Sequence, residues 1–153
     1  MKIYTLHKKQ KLPISVDEAW DFLSDPKNLK FITPDYMAFN IISGADREMY
    51  PGQIIQYVVT PVLGIKSKWV TEITHVRDKE YFVDEQRFGP YALWHHKHFI
   101  KEIKDGVEME DIIDYKIPLG ILGQLVHPIL VKPKLEEIFR FREKKLIELF
   151  GRY

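Results

Sequence analysis

A chain of 153 residues with 45% hydrophobic and 29% charged side chains has the length of one domain, residues 1–153, and enough apolar material to bury a core without disulfides or metal. Its formal charge of +1, with Lys and Arg scattered along the chain, argues against nucleic acid as a partner, since a phosphate-binding surface needs a basic excess or stripe. Cysteine is absent, which removes disulfides, thiolate nucleophiles and Cys-containing zinc sites and suits a cytoplasmic location.

In chain order, the residues from Met1 run straight into alternation without the apolar core of a signal peptide, and a first strand is expected over about Lys2 to Leu12. Pro13 ends it by removing a ladder donor. Ser15, with Glu18 three residues on, then caps a helix carrying Ala19, Trp20, Phe22 and Leu23. Asp25-Pro26 stops that helix and starts a second short one, in which Leu29, Phe31 and Ile32 supply apolar contacts before Thr33-Pro34.

From Met37 onward strand follows strand, over about 37–43, 53–60, 65–76, 80–87, 91–103 and 107–117. The turns between them include Tyr50-Pro51-Gly52, Pro61 to Gly64, Arg77-Asp78-Lys79, Phe88-Gly89-Pro90 and Lys104-Asp105-Gly106. Connections this short force antiparallel neighbours, so the six strands form a meander. The segment Pro118 to Val131 is unusually apolar for a connector but too short to span a bilayer. Packing is its expected use; exposed, it would offer a patch for a membrane surface or a second subunit, and Gly120 and Gly123 would let it hinge. Lys134 to Phe150 is the last helix, with Pro133 at its start and Gly151 at its end. Leu135, Ile138, Phe139, Leu146, Leu149 and Phe150 make its apolar stripe, and Arg142 falls in the middle. That cation must reach water along its stem or meet Asp111, Glu85 or an anionic ligand group inside.

The residues with chemistry sit on the last strands. Trp94, His96 and His98 alternate on one strand, and Met109, Asp111, Ile113 and Tyr115 on the next, so each set shares a face. If the two faces coincide, imidazoles, a carboxylate and a phenol meet in a largely apolar surface, as in a ligand pocket. Asp111 would fix an imidazole tautomer, while Trp94, Tyr115 and Trp69 would supply flat walls. A hydrogen-bonded network that meets no ligand is the bland alternative. His-x-His with a carboxylate resembles zinc and iron ligand sets, but His95 points the other way and spacing places no third histidine, so neither metal nor cofactor is expected.

The element order, with the opening Pro13-Ile14-Ser15-Val16-Asp17-Glu18-Ala19-Trp20 through Asp25-Pro26, resembles the helix-grip fold of the START, polyketide cyclase and Bet v 1-like (SRPBCC) superfamily. Phe82 to Gln86, Gly89-Pro90-Tyr91, Trp94-x-His96-x-His98 and Met109 through Tyr115 to Pro118-x-Gly120 are similar to its bacterial ligand-binding branch. The resemblance covers essentially the whole chain. It implies an α+β fold: a curved seven-stranded antiparallel sheet wrapped around the long C-terminal helix, two short helices between strands 1 and 2, and a cavity between sheet and helix. It also implies binding or transport of a hydrophobic or amphipathic small molecule of lipid, polyketide or aromatic type. The residues expected to meet that ligand are Trp69, Glu85, Trp94, His96, His98, Asp111, Tyr115, Phe139 and Arg142. No cyclase signature maps onto the chain. An enzyme using His96 or His98 with Asp111 as acid and base is the alternative, and a membrane- or protein-interaction module acting through residues 118–131 is the third.

Overall fold

The computed structural model describes residues 2–60 and 64–153, so the expected turn beginning at Pro61 falls largely outside the described residues. Strand β1 (Tyr4–Leu12) ends at Pro13, and Ser15 opens α1 (Val16–Leu23) through a capping box: its hydroxyl accepts from the Glu18 N–H at 3.2 Å while Glu18 Oε2 accepts from the Ser15 N–H at 2.9 Å. Both ends of that reciprocal pair were legible in the Ser-x-x-Glu spacing. The second short helix is a 3₁₀ segment, Pro26–Ile32, started by the Asp25 carboxylate accepting from the Lys27 N–H at 2.9 Å. Ile32 is buried, whereas Phe31 points to solvent and adds no core contact.

Six strands then follow as expected: β2 (Asn40–Ser43), β3 (Gln53–Val59), β4 (Ser67–Arg77), β5 (Tyr81–Phe88), β6 (Leu93–Ile103) and β7 (Gly106–Lys116). β2 begins later than the pattern suggests, because Asp35–Met37 forms one more 3₁₀ turn and Ala38 turns the chain with φ 46°. Every neighbouring pair is antiparallel and the order is β1-β7-β6-β5-β4-β3-β2, so β1 adds to the outer edge of the meander with Tyr4 opposite Tyr115 and Leu12 opposite Val107. Irregular register at Ile41/Ser43, Val70/Thr71 and Ile73/His75 marks places where bulges bend the strands.

Helix α3 (Lys132–Phe150) closes the inner side of this sheet. Leu146 packs with Leu12, Trp20 and Val107 in one apolar cluster, and Leu135 and Phe139 pack with Leu6, Ile113 and Tyr115 in another. Leu149, expected in the buried stripe, lies half exposed at the helix end. The fold is the α+β helix-grip arrangement, and the two clusters leave the middle of the inner face to Asp111 and Arg142.

The connector departs from expectation. It forms α2 (Gly120–Val126) and a π-helical turn, His127–Val131, but only Gly123, His127 and Val131 are turned inward, four residues apart. Leu119, Ile121, Leu122, Leu125 and Ile129 are 64–80% exposed, so simple packing is not what these side chains do. The inward stripe contains no large aliphatic residue except Val131. Gly123 permits the close approach, since a Cβ there would lie 2.1 Å from the Pro118 carbonyl oxygen.

Candidate functional site

Strand parity and register assemble one polar cluster. On β6, Trp94, His96, His98 and Ile100 face inward; on β7, Met109, Asp111 and Ile113 do the same. His98 stands opposite Asp111 and His96 opposite Asp84 of β5, so two imidazoles are flanked by a carboxylate from each neighbouring strand. His96 Nε2 lies 2.9 Å from Asp111 Oδ1, and His98 Nε2 lies 2.7 Å from Asp84 Oδ2. The two imidazoles lie tilted at 34° with centroids 3.6 Å apart, and Phe82 stacks on His98 at 4.1 Å. His98 Nδ1 is also 2.9 Å from Asp111 Oδ1, but the oxygen is off the line of a ring N–H, and this buried nitrogen has no aligned partner. Arg142 reaches in from α3, its Nη2 3.5 Å from the same Asp111 oxygen.

The electrostatics push the two rings in opposite directions. Burial, then the charge on His98, holds His96 below its ordinary value. Burial opposes the charge on His98 too, but the close Asp111 carboxylate and the hydrogen bond and charge of Asp84 outweigh it and raise His98. Burial likewise works against both carboxylates and is overcome. Arg142 and the two imidazoles hold Asp111 well below the usual carboxylate range, and the imidazoles hold Asp84 down. The two carboxylates are thus set against the Arg142 guanidinium and two hydrogen-bonding imidazoles, and pairing of this kind is how buried charge is tolerated.

A cavity of about 180 Å³ lies between this cluster, the sheet, the segment Pro26–Ile32 and α3. Trp69, Trp94, His96, His98, Phe139 and Arg142 all line it, as does Asp84. Asp111 stands behind the imidazoles and Tyr115 lies beyond Trp94, so neither is on its wall. Trp69 packs edge-on to Trp94 at 5.3 Å, and its indole N–H donates to Thr71 Oγ1 at 3.1 Å. The Tyr57 hydroxyl meets the same Thr71 oxygen at 2.8 Å, and burial, with a smaller contribution from the Asp84 charge, pushes that phenol up.

Two expected members of the set are elsewhere. Glu85 is a correction: it lies on the outer face, 3.1 Å from His95 Nδ1 and 3.5 Å from Arg87 Nη1, because parity turns Asp84 and not Glu85 inward. Tyr115 bonds to His127 Nε2 at 2.8 Å, and burial pushes its hydroxyl up to about 12. Asp84, Thr71, Tyr57 and His127 were missed. For Asp84 the strand's own pattern gave no signal, because the adjacent Phe82 and Val83, of opposite parity, are both apolar and both buried.

No family model matches the chain and no curated protein matches its sequence. Solved structures do match in fold. A protein from Chromobacterium violaceum superposes with a TM-score of 0.73 at 13% identity, over 98% of this chain and 99% of its own. A protein from Mycobacterium smegmatis gives 0.67 at 19%, over 95% and 89%. A point mutant of norcoclaurine synthase from Thalictrum, in complex with a transition-state analogue, gives 0.63 at 15%, over 96% of each chain. The chain therefore shares the helix-grip fold with these structures, the fold that the sequence resemblance implied.

Proposed function

We propose that the chain binds a small amphipathic molecule between the sheet and α3, with a compact apolar body against Trp69, Trp94 and Phe139 and a polar end toward His96, His98 and Arg142. The observation that carries this is a cavity with apolar walls and one polar patch. Its volume of about 180 Å³ narrows the ligand. Apolar cavities of roughly 150 Å³ hold benzene, so this one suits a single substituted ring better than a sterol or a full acyl chain. Burying a body of that size contributes about 1.5–3 kcal/mol. A charge-assisted hydrogen bond adds about 1.5–3 kcal/mol, placing a minimal ring acid near sub-millimolar affinity.

Phenylacetate and toluene, titrated against Trp69 and Trp94 fluorescence, test the reading. Both are expected to saturate, and Arg142→Met is expected to weaken phenylacetate at least about tenfold while leaving toluene unchanged. Absence of any saturable change, or equal effects of Arg142→Met on both probes, would overturn it.

Two further observations support other readings of the chain. His98 Nε2 lies 2.7 Å from Asp84 Oδ2 on the cavity wall, which suits acid–base chemistry on a bound ligand; recovery of a chemically altered ligand after incubation, lost in His98→Gln, tests it. The exposed aliphatic face of α2, flanked by Lys116 and Lys132, suits transient contact with an anionic lipid surface. Co-sedimentation with anionic vesicles, abolished by Leu122→Glu, is the corresponding test. Among the described residues no helix is long and apolar enough to cross a membrane.

A further inference from the structure

We infer that Asp84, His96 and His98 form a binding site for a divalent transition-metal ion at the cavity wall, with Asp111 as the group that orients both imidazoles. This goes beyond the binding of an organic ligand and stands independently of it. Spacing along β6 alone gave two nitrogen ligands; the register of β5 against β6 supplies the oxygen.

The three facing atoms are His96 Nδ1, His98 Nε2 and Asp84 Oδ2, and the group's ligand atoms lie within 4.8 Å of one another. Asp84 Oδ2 is 3.7 Å from His96 Nδ1 and 2.7 Å from His98 Nε2. Metal–ligand bonds of about 2.0–2.1 Å in a tetrahedral site place ligand atoms about 3.3 Å apart, between those two distances. The third separation, between the two ring nitrogens, extends to as much as 4.8 Å, so a bound ion would draw the imidazoles together by up to about 1.5 Å while easing Asp84 away from His98.

The opposite edge of each ring is equally informative. His96 Nε2 and His98 Nδ1 each lie 2.9 Å from one oxygen of Asp111. An ion entering here would displace the proton that His98 Nε2 directs at Asp84; with N–H kept on the two nitrogens beside Asp111, the lone pairs of His96 Nδ1 and His98 Nε2 would then be free to ligate it. A carboxylate behind metal-binding imidazoles does this in many metal sites: it fixes the tautomer and the ring plane. The misaligned Nδ1 of His98, buried and without a directed partner, fits a ring whose orientation is completed when its other nitrogen gains a ligand.

Charge and access complete the case. A divalent ion with Asp84, Asp111, Arg142 and two neutral imidazoles sums to one positive charge, which favours a hydroxide or an anionic group as a further ligand. All three ligating residues border the cavity while Asp111 does not, so the remaining coordination positions open inward. Two imidazoles and one carboxylate with open positions suit zinc or ferrous iron rather than calcium or magnesium.

The test uses the full chain, freed of metal with chelator and then titrated without any organic molecule. Zn²⁺ is expected to bind one to one by calorimetry, and Co²⁺ to give a visible ligand-field band with nitrogen and oxygen ligands. Asp84→Asn is expected to abolish that band. Asp111→Asn is expected to keep the band but weaken affinity about 10- to 100-fold, as removal of an orienting carboxylate does. His95→Gln, on the outer face of the same strand, is expected to bind as the unaltered chain does. Histidine-selective NMR on the unaltered protein needs no variant: Zn²⁺ is expected to shift His96 Nδ1 and His98 Nε2. Failure to bind, equal affinity of Asp84→Asn and the unaltered chain, or zinc-induced shifts confined to His7, His75 or His95 would overturn the proposal. None of these results bears on whether the cavity takes up phenylacetate.

Discussion

Replacing Asp111 by alanine perturbs the polar cluster most heavily. One buried oxygen of Asp111 accepts from His96 at 2.9 Å, lies 2.9 Å from His98 Nδ1 and faces Arg142 Nη2 at 3.5 Å. Removing it leaves a buried guanidinium short of its counter-charge and the buried His96 without its acceptor, for which a loss of about 3–5 kcal/mol is expected. Arg142→Met removes a cation that stands beyond close hydrogen-bonding distance of Asp111 and keeps a stem of similar length, so its cost is expected to be about 0.5–2 kcal/mol. The double variant should then lose less than the sum of the two, with a coupling of about 0.5–3 kcal/mol, because the uncompensated charge has gone with its partner. Urea denaturation at pH 7 reads all three values. In a thermal melt Asp111→Ala should fall by roughly 6–20 °C, taking about 2–4 °C per kcal/mol for a chain of this size. An Asp111→Ala variant within about 1 kcal/mol of the parent, or strict additivity in the double variant, would refute the reasoning.

Other expectations follow from contacts outside that cluster. Thr71→Val leaves the Trp69 indole N–H without its acceptor and the Tyr57 hydroxyl without its hydrogen-bond partner, and should cost about 1–3 kcal/mol by denaturation, with a change in Trp emission. Gly123→Ala would place a Cβ 2.1 Å from a backbone oxygen, so it should destabilise the 118–131 segment, measured by amide exchange, where helix propensity alone would give a gain of about 1 kcal/mol. Burial and the charges of Lys2 and Lys132 hold His127 below its ordinary value. The unfolded chain therefore takes up that proton first. Its contribution is full above about pH 6.5 and is lost as the pH falls toward the folded value. His127→Phe should show a shallower loss of stability between about pH 7 and pH 5 than the parent, and an equal slope would contradict this.

Much of the architecture was readable before any coordinates because the local rules agree with one another. Alternation of period two placed Trp94, His96 and His98 together, short turns forced antiparallel pairing, and Ser15 with Glu18 announced α1. The site was harder. Phe82 and Val83 are both buried, so apolar pattern along β5 does not declare a face, and the irregular register of β4 against it removes a second guide. Glu85 was consequently expected where Asp84 stands. The pairing of Asp84 with His96 is a fact about register between strands, which a single strand's pattern does not contain. The exposure of α2 was missed for a related reason: its composition is apolar, but its inward stripe is Gly123, His127 and Val131, too small to shelter the aliphatic side chains around it. Leu149 is half exposed, while its neighbour Phe150, at the last position of α3, packs against the core.

The central claim is that the space between sheet and α3 is a binding site. Intermolecular NMR contacts between phenylacetate ring protons and assigned side chains test it most directly. Contacts from the ring to Trp69, Trp94 and Phe139, with the carboxylate end nearest Arg142, are the predicted result. Contacts confined to Leu122, Leu125 and Ile129 on α2, or none at saturating probe, would contradict it.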